Sequence, residues 1–342
     1  MLLKRSHSFS FQWYKRTACS YIVSKGAWWK MEQLLRLFPS SLREVLRYSG
    51  LEKEKLQEIR LRVNRPCVIQ YSNEEYFIKE HGGRTKEMEA TYTVCQRELK
   101  ETMEFISNYS MYAYEEEIKQ GFLTIPGGHR VGIAGKAVVE QGELKLLKHI
   151  GFLNIRIAHE VKGCALTLLP HLYINGQWGH TLLFSPPGCG KTTMLRDLIR
   201  LLSDGNAFCV GKKIGVVDER SELAACYMGN PQNDIGIRTD ILDCCPKSQG
   251  ILLLLRSMSP QLIAVDEIGT REDIAALRYA IGCGVKLLMT AHAGSFEELA
   301  DRPYFKEWIE ERVIERYVQL GIVNGACSVC AVYDKQGKRI WC

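Results

Sequence analysis

Ser185-Pro-Pro-Gly-Cys-Gly-Lys-Thr192 matches the phosphate-binding loop pattern G-x-x-x-x-G-K-[ST] at every specified position except the first, where Ser replaces Gly. Because Gly relieves crowding at that turn, Ser is a modest change. The apolar run Thr181 to Phe184 predicts a short strand before the loop, and the segment from Thr192 to Leu202 has helical spacing. This order of strand, loop and helix is the setting that a P-loop requires.

The residue types in this loop suit the phosphates of a nucleotide. Gly188 and Gly190 let the backbone turn its N–H groups inward around the β- and γ-phosphates, and the helix N-terminus adds a partial positive charge. Lys191 would bond the terminal phosphates, and Thr192 would ligate Mg²⁺. The predicted cofactors are therefore ATP and Mg²⁺, held by Pro186, Pro187, Gly188, Cys189, Gly190, Lys191, Thr192 and Thr193.

Acidic partners of the P-loop are expected at the ends of later strands. Leu262 to Val265 is an apolar run that predicts a buried parallel strand, and it is followed by Asp266 and Glu267. This pattern is typical of a Walker B motif. Asp266 would hold the magnesium ion, usually through water, and Glu267 would orient and polarise the attacking water.

Two further strand ends carry candidate residues. Ile214 to Val217 is followed by Asp218 and Glu219, which would reach the carboxyl edge of the sheet or form an ordinary surface cluster. The strand predicted at residues 286–290 leads to His292, which could sense the γ-phosphate, although a lone His is more often structural.

The strand and helix patterns predict more than one domain. Strands at 181–184, 213–217, 262–265 and 286–290 alternate with helical segments, which predicts a RecA/AAA-like parallel sheet and an α/β P-loop NTPase domain over residues 161–342, ending in a hairpin. Residues 31–160 combine helical stretches, roughly 31–49 and 95–109, with hairpins from Gly121 onward, which predicts an α+β domain.

Residues 1–30 fit neither domain. This extension carries six basic residues and no acidic ones, and Met31 begins a clean amphipathic pattern. We expect either an upstream start, with the natural start at Met31, or a basic-aromatic tail for a membrane surface. The extension accounts for the whole net charge of +6, so the rest of the chain is neutral on balance. This neutrality predicts no direct nucleic-acid partner.

The cysteines point to a reducing compartment. The chain has 13 of them, mostly scattered singly, and the N-terminal segment lacks the continuous apolar core of a secretory signal. We therefore expect reduced thiols and a cytoplasmic location. Ile251 to Leu255 is the longest aliphatic run and is far too short to span a bilayer, which favours a place in the core. Cys189 lies in the P-loop, so its alkylation could block nucleotide entry.

Two arginines in the α+β region need partners. Arg130 is placed on the glycine-rich turn at Pro126-Gly127-Gly128, and Arg156 lies within the apolar run Asn154 to Ala158. Burying a guanidinium alone is prohibitive, so a phosphate, a carboxylate of a neighbouring subunit, or a solvated sheet face must accommodate Arg156. P-loop enzymes commonly add an arginine that stabilises charge on the γ-phosphoryl oxygens, and Arg130 and Arg156 are our candidates, with Arg220, Arg238 and Arg256 as competitors.

The combined motifs resemble the stage III sporulation protein AA family, which is related to the ATPases of type II and type IV secretion and pilus assembly. The resemblance covers about residues 31–342 and rests on the P-loop, Val217–Glu222, Arg238–Leu242, Leu255–Pro260, Ala264–Gly269, Thr290–Ala293, Gly127–Gly132 and Asn154–Glu160. It implies that Glu267 aligns with the catalytic Glu, that His292 belongs to a histidine box, and that Asp218 and Glu219 form an acidic box.

The resemblance also implies an assembly and a location. Secretion ATPases form rings, usually hexamers, with nucleotide between an N-terminal α+β domain and the P-loop domain. The sporulation family is thought to act on the mother-cell side of a channel, with membrane proteins as partners, so a peripheral membrane location would come through those partners. Three other classes stay open: a nucleic-acid-dependent P-loop ATPase, a P-loop kinase, and a noncatalytic ATP-binding scaffold.

Overall fold

The computed structural model describes residues 31–110, 114, 117–118, 121–323 and 325–341. The chain divides into two compact units, one ending at His159 and the other running from Glu160 to Cys342. The N-terminal extension predicted at residues 1–30 lies outside the described residues. Among the helices that are described, none combines the length and the apolar character needed to cross a membrane.

The first unit is built on an antiparallel sheet of seven strands in the order β5-β4-β3-β1-β9-β8-β7. Residues 31–35 are helical, and the elements that follow are α1 (Ser40–Arg47), β1 (Leu56–Arg62), β2 (Arg65–Pro66), β3 (Val68–Tyr71), β4 (Glu74–Ile78), β5 (Arg84–Thr85), β6 (Thr93–Val94), α2 (Gln96–Ile106), β7 (Phe122–Ile125), β8 (His129–Glu140) and β9 (Glu143–Arg156).

Strand alternation explains how this sheet has one buried and one open face. In β1, Ile59 and Leu61 are buried in the core, whereas Arg60 and Arg62 between and after them point away from it. The helices α1 and α2 supply apolar residues to the same core as Ile59. The open face therefore collects the polar residues of β1, β8 and β9.

The two predicted arginines lie on that open face. Arg130 is the second residue of β8 and not part of the turn, which corrects our expectation: the strand begins at His129, whose backbone already pairs with Ile125. Arg156 ends β9, and its side chain is 66% exposed, with Nε 3.6 Å from Oε1 of Glu58. Of the partners considered for Arg156, the first unit thus provides a solvated sheet face and a nearby carboxylate.

His129 is buried and should make the stability of the first unit depend on pH. Its Nδ1 accepts a hydrogen bond from the backbone N–H of Ala158 at 2.9 Å, and burial lowers the pKa of His129 to about 3. Because the folded pKa lies below the unfolded value near 6.5, the neutral ring stabilises the fold above pH 6.5, and this stabilisation is lost as pH falls toward 3.

Replacing His129 by Asn should flatten this pH dependence, because an Asn carbonyl can also accept from Ala158 but does not titrate. Between pH 7.5 and pH 5.0 we expect the free energy of unfolding to fall by about 2 kcal/mol less in His129→Asn than in the wild type. Thermal melts at both pH values measure the difference. Equal pH dependence in both proteins would show that His129 is not held neutral.

The second unit contains an eight-stranded sheet in the order β16-β15-β17-β18-β12-β19-β20-β21. Its elements are α3 (Leu169–Leu172), β10 (Tyr173–Ile174), β11 (Gln177–Trp178), β12 (Thr181–Ser185), α4 (Lys191–Asp204), β13 (Gly205–Asn206), β14 (Cys209–Val210), β15 (Ile214–Asp218), β16 (Thr239–Asp243), α5 (Lys247–Ser257), β17 (Leu262–Val265), α6 (Arg271–Gly282), β18 (Lys286–His292), α7 (Phe296–Asp301), α8 (Pro303–Glu310), β19 (Arg316–Val323), β20 (Ala326–Asp334) and β21 (Arg339–Trp341).

The sheet is parallel from β16 to β19 and antiparallel through β20 and β21. Every residue of β12, β15 and β17 is buried, because separate hydrophobic clusters cover the two faces of the sheet. This is the α/β fold predicted for a P-loop NTPase, with the predicted closing hairpin. Strands β12, β15, β17 and β18 end at one edge, where the candidate site lies.

Helix α5 contains the long aliphatic run and is only partly core. Ile251 and Leu254 are buried, but the side chain of Leu253 is 52% exposed. An α-helix presents successive residues in different directions, so an unbroken apolar run cannot all face one sheet. The predicted place of residues 251–255 in the core is therefore correct for only one face of α5.

Candidate nucleotide-binding site

The loop between β12 and α4 has the backbone that the glycine pattern predicted. Gly188 and Gly190 have φ values of 74° and 84°, in the left-handed region that favours glycine. Ser185 is fully buried and has no positive φ, and its hydroxyl donates to the carbonyl oxygen of Pro186 at 2.8 Å. Ser therefore fits the first position because no left-handed backbone is needed there.

Lys191 begins α4, and its ammonium group bends back over the loop. Nζ donates to the carbonyl oxygens of Ser185 and Pro186, each at 3.1 Å, and lies 3.0 Å from Nδ1 of His292. The residue is 5% exposed, and burial lowers the pKa of Lys191 while the charges of Asp266 and Glu267 oppose that shift. A desolvated cation held mainly by neutral acceptors would gain strongly from an anionic ligand.

Asp266 joins the P-loop helix to the central strands. Its Oδ2 accepts from the hydroxyl of Thr192 at 2.7 Å, and its Oδ1 accepts from the hydroxyl of Thr290. Burial raises the pKa of Asp266, and the hydroxyl donors partly offset this. The buried carboxylate would therefore be stabilised by a cation beside it.

The donor set at this point fits Mg²⁺. The ion prefers hard oxygen ligands, and protein sites often supply only one or two of them while phosphates and water fill the rest. Thr192 and Asp266 provide such oxygens side by side. No group of three or more His, Cys, Asp or Glu suited to a metal occurs in the described part of the chain.

Glu267 is held in an uncommon backbone conformation, with φ of 52°. Its backbone N–H donates to the hydroxyl of Thr290 at 2.7 Å, which fixes the turn after β17. Its carboxylate lies between two cationic or donor groups: Nε2 of His292 is 3.0 Å from Oε1, and Nη1 of Arg220 is 2.7 Å from Oε2.

These contacts define the roles of the two ring nitrogens of His292. The Lys191 ammonium can only donate, so Nδ1 of His292 accepts from it, and Nε2 then carries the proton that it donates to Glu267. One continuous chain of polar contacts consequently runs from Lys191 in the P-loop through His292 and Glu267 to Arg220 in the loop after β15. We name this set the Lys191–Arg220 relay.

Asp218 and Glu219 line a small pocket next to Asp266 and Glu267. The Asp218 carboxylate is buried and accepts from the backbone N–H groups of Glu222 and Ala224, each at 2.8 Å, so both oxygens organise the loop that follows β15. Burial raises the pKa of Asp218, and these amides partly offset the shift. Glu219 forms an ion pair with Lys247.

Several residues on which the site depends have no role predicted from the sequence. Thr290 positions both Asp266 and Glu267, but the sequence indicated it only as part of the Thr290–Ala293 motif. Arg220 was considered only as an alternative to Arg130 and Arg156 for the arginine that stabilises charge on the γ-phosphoryl oxygens. Arg196 on α4 donates to the carbonyl oxygens of Glu222 and Leu223 and so fixes the Asp218 loop, a contact for which the sequence carries no signal.

Arg130 and Arg156 belong to the first unit, where they are directly opposite each other on β8 and β9. The guanidinium of Arg130 lies 4.7 Å from the ring centroid of Phe122. Two like charges at directly opposite positions of a sheet destabilise each other. The Glu58 carboxylate, 3.6 Å from Nε of Arg156, offsets part of this repulsion.

Two solved structures share this fold. The pilus retraction motor PilT with bound ADP superimposes with a TM-score of 0.53 at 12% identity, covering 84% of this chain and 80% of PilT. The Legionella pneumophila ATPase DotB gives a TM-score of 0.52 at 14% identity, covering 82% of this chain and 77% of DotB. These likenesses establish the P-loop ATPase fold.

Sequence comparison identifies the family. The family described as Sporulation stage III, protein AA matches residues 29–340. Stage III sporulation protein AA of Bacillus subtilis strain 168 is 41% identical over 310 residues, which cover 90% of this chain and 96% of the relative. The chain therefore belongs to the stage III sporulation protein AA family.

Proposed function

We propose that this protein binds and hydrolyses Mg²⁺–ATP and acts as a secretion-type motor ATPase of sporulation. The observation that carries the proposal is the Lys191–Arg220 relay, which links the phosphate-gripping lysine of the P-loop to the carboxylate that would activate water. The Thr192–Asp266 contact lies beside it and provides the oxygens for the metal. A P-loop that only bound nucleotide would not need the relay.

Each side chain has a distinct role in this proposal. The loop amides around Gly188 and Gly190 and the ammonium of Lys191 bind the β- and γ-phosphates. Thr192 and Asp266 would hold Mg²⁺, which supplies charge neutralisation and orients the phosphates when bound. Glu267 orients a water molecule for attack on the γ-phosphorus, and Thr290 fixes the Asp266 carboxylate and the Glu267 backbone by the contacts described above.

The relay suggests how the site responds to a γ-phosphate. Phosphate oxygens are charged acceptors and would compete for Lys191 Nζ with Nδ1 of His292 and the loop carbonyls. Once Lys191 bonds phosphate and no longer donates to Nδ1, the His292 ring can rotate. That rotation would change the hydrogen bond from His292 to Glu267. His292 would thus report phosphate occupancy to the carboxylate that positions water.

Arg220 has a role of its own in the relay. In this structure it pairs with Oε2 of Glu267 while Oε1 faces His292, so both oxygens of the carboxylate are already engaged. The ion pair must open or shift before Glu267 can orient water. Pairing with Arg220 would therefore restrain hydrolysis until nucleotide has bound.

The wider assignments are part of the same proposal. Residues 31–160 would serve as an N-terminal α+β domain and residues 161–342 as the motor domain. By analogy with secretion ATPases, the assembly would be a homo-oligomeric ring of six subunits. Arg130 or Arg156 would complete a nucleotide site within that ring. We propose a mother-cell cytoplasmic location, with membrane proteins of a sporulation channel as partners, and no direct nucleic-acid contact.

Purified protein should release phosphate from ATP only when Mg²⁺ is present. Chelation of the metal should reduce turnover to background, and added Mg²⁺ should restore it, because the Thr192–Asp266 pair cannot position the phosphates alone. A phosphate-release assay across protein concentrations measures this. Turnover that is insensitive to chelation would contradict the proposal, and strong stimulation by DNA would favour the nucleic-acid-dependent class.

A further inference from the structure

Four half-buried thiols surround the base of the phosphate-binding loop, and the mechanism above uses none of their sulfur chemistry. Cys189 lies within the loop, and Cys327 lies on β20. Cys327 interacts electrostatically with Cys189, Cys330 and Cys164, and Sγ of Cys164 is 3.9 Å from the carbonyl oxygen of Thr193. The group is therefore a cluster built around Cys327.

Cys327 packs directly on the loop backbone. A Cβ atom placed on Gly190 would lie 2.7 Å from Cβ and 2.8 Å from Sγ of Cys327, which is closer than side chains approach in proteins. Gly190 is thus required both by its left-handed φ and by this contact. Cys189 is the preceding residue, with its Cα about 3.8 Å from that of Gly190, so its backbone adjoins this contact. The Cys189 thiol is also one of the groups that act electrostatically on Cys327.

We propose that Cys189 and Cys327 form a reversible disulfide that closes the phosphate-binding loop to nucleotide. The inference rests on the proposed function, because it regulates the same loop. With a peroxide as oxidant, the Cys189 sulfur attacks one oxygen and becomes a sulfenic acid as water leaves; the Cys327 sulfur then displaces a second water. Two thiols and one hydrogen peroxide give one disulfide and two waters. A small-molecule dithiol reverses the reaction by exchange.

The position of Cys189 explains why the bond would block the site. It stands between Gly188 and Gly190, whose φ values of 74° and 84° turn the loop amides inward. Cys327 is held in place by strand pairing with Ile322 of β19. A bond to this fixed strand would draw Cys189 toward β20 and disturb the backbone on both sides of it, so the amides could no longer surround phosphate.

The neighbouring thiols are less suited to this bond and serve as matched controls. Cys330 lies at the irregularity where β20 shifts register against β19, and its sulfur sits over Gly321, where an added Cβ would be 2.7 Å away. Cys164 contacts Thr193 on α4, beyond the loop. Neither residue is adjacent to Gly190 in sequence or packs on it in the way that Cys327 does.

Peptide mapping after mild oxidation with hydrogen peroxide tests the bond itself. Trypsin releases residues 163–191, which contain Cys164 and Cys189, and residues 317–335, which contain Cys327 and Cys330. Because each peptide holds two cysteines, single-cysteine variants are needed to identify the pair that forms the bond. We expect the cross-link in the wild type, Cys164→Ser and Cys330→Ser, and its loss in Cys189→Ser and Cys327→Ser. Persistence of the cross-link in Cys327→Ser would overturn the pairing.

Titration with a nonhydrolysable ATP analogue and Mg²⁺ tests the consequence. Oxidation should weaken binding to the wild type by roughly tenfold or more, and a dithiol should restore it, whereas Cys327→Ser should bind equally in both states. Unchanged affinity in the cross-linked wild type would overturn the closing role. Reduced protein that binds no nucleotide would overturn the proposed function, and the peptide map would still decide whether the disulfide forms.

Discussion

Glu267→Gln is expected to stop ATP hydrolysis while ATP binding is retained. The amide keeps the size of the side chain and can still accept from His292, but it cannot take a proton from water or polarise it as a carboxylate does. Turnover should fall by roughly 10²- to 10⁴-fold, the range for removal of a general base. Phosphate release measures turnover, and calorimetry with a nonhydrolysable analogue measures binding.

A matched variant separates this effect from a general change of charge. Glu272 is an exposed carboxylate in the first turn of α6, in the same unit, and Glu272→Gln should leave turnover and binding near wild type. Equal loss of binding and hydrolysis in Glu267→Gln would contradict the role of Glu267 in activating water. Wild-type turnover in Glu267→Gln would contradict it as well.

Arg130→Ala or Arg156→Ala is expected to lower turnover by roughly 10³-fold or more, the effect of losing an arginine that stabilises transition-state charge. The physical reason is that the P-loop residues alone leave charge on the γ-phosphoryl oxygens undercompensated, and a guanidinium would offset that charge in the transition state. ATP affinity should stay nearly unchanged, because the P-loop supplies ground-state binding. Steady-state kinetics and analogue binding distinguish the two quantities.

The arginine hypothesis also predicts dependence on assembly. If one subunit completes the site of another, turnover should rise faster than linearly with protein concentration through the assembly range. Arg65→Ala removes an exposed arginine from the same unit and should leave the kinetics near wild type. Normal activity in a monodisperse monomer, or wild-type turnover in both Arg130→Ala and Arg156→Ala, would rule the hypothesis out.

The parts of the fold that the sequence predicts are those set by local pattern. The strands ending at Ser185, Asp218 and His292 are short apolar runs next to turn or charged residues, because a parallel strand covered on both faces must be apolar throughout. The edge strand β16 was not predicted, because none of its residues is fully buried and Asp240 interrupts the apolar pattern. Strand β19 was also not predicted, since its last residues are exposed.

The site was predictable only as far as residue type and spacing reach. The P-loop and the carboxylates after β17 follow from adjacent residues, and the resemblance to a family added His292. The contacts of Thr290 and Arg220 with Glu267 join segments far apart in the chain, so no local pattern encodes them. The use of both Asp218 oxygens by backbone amides likewise depends on the path of a loop.

The most direct test of the account is binding of a nonhydrolysable ATP analogue with Mg²⁺ to the wild type and to Lys191→Ala, measured by calorimetry. Lys213→Ala, which removes an exposed lysine from the same unit, is the control, and thermal melts verify that the variants are folded. The account predicts saturable binding to the wild type and Lys213→Ala and none to Lys191→Ala. Equal affinity in a folded Lys191→Ala protein would contradict it.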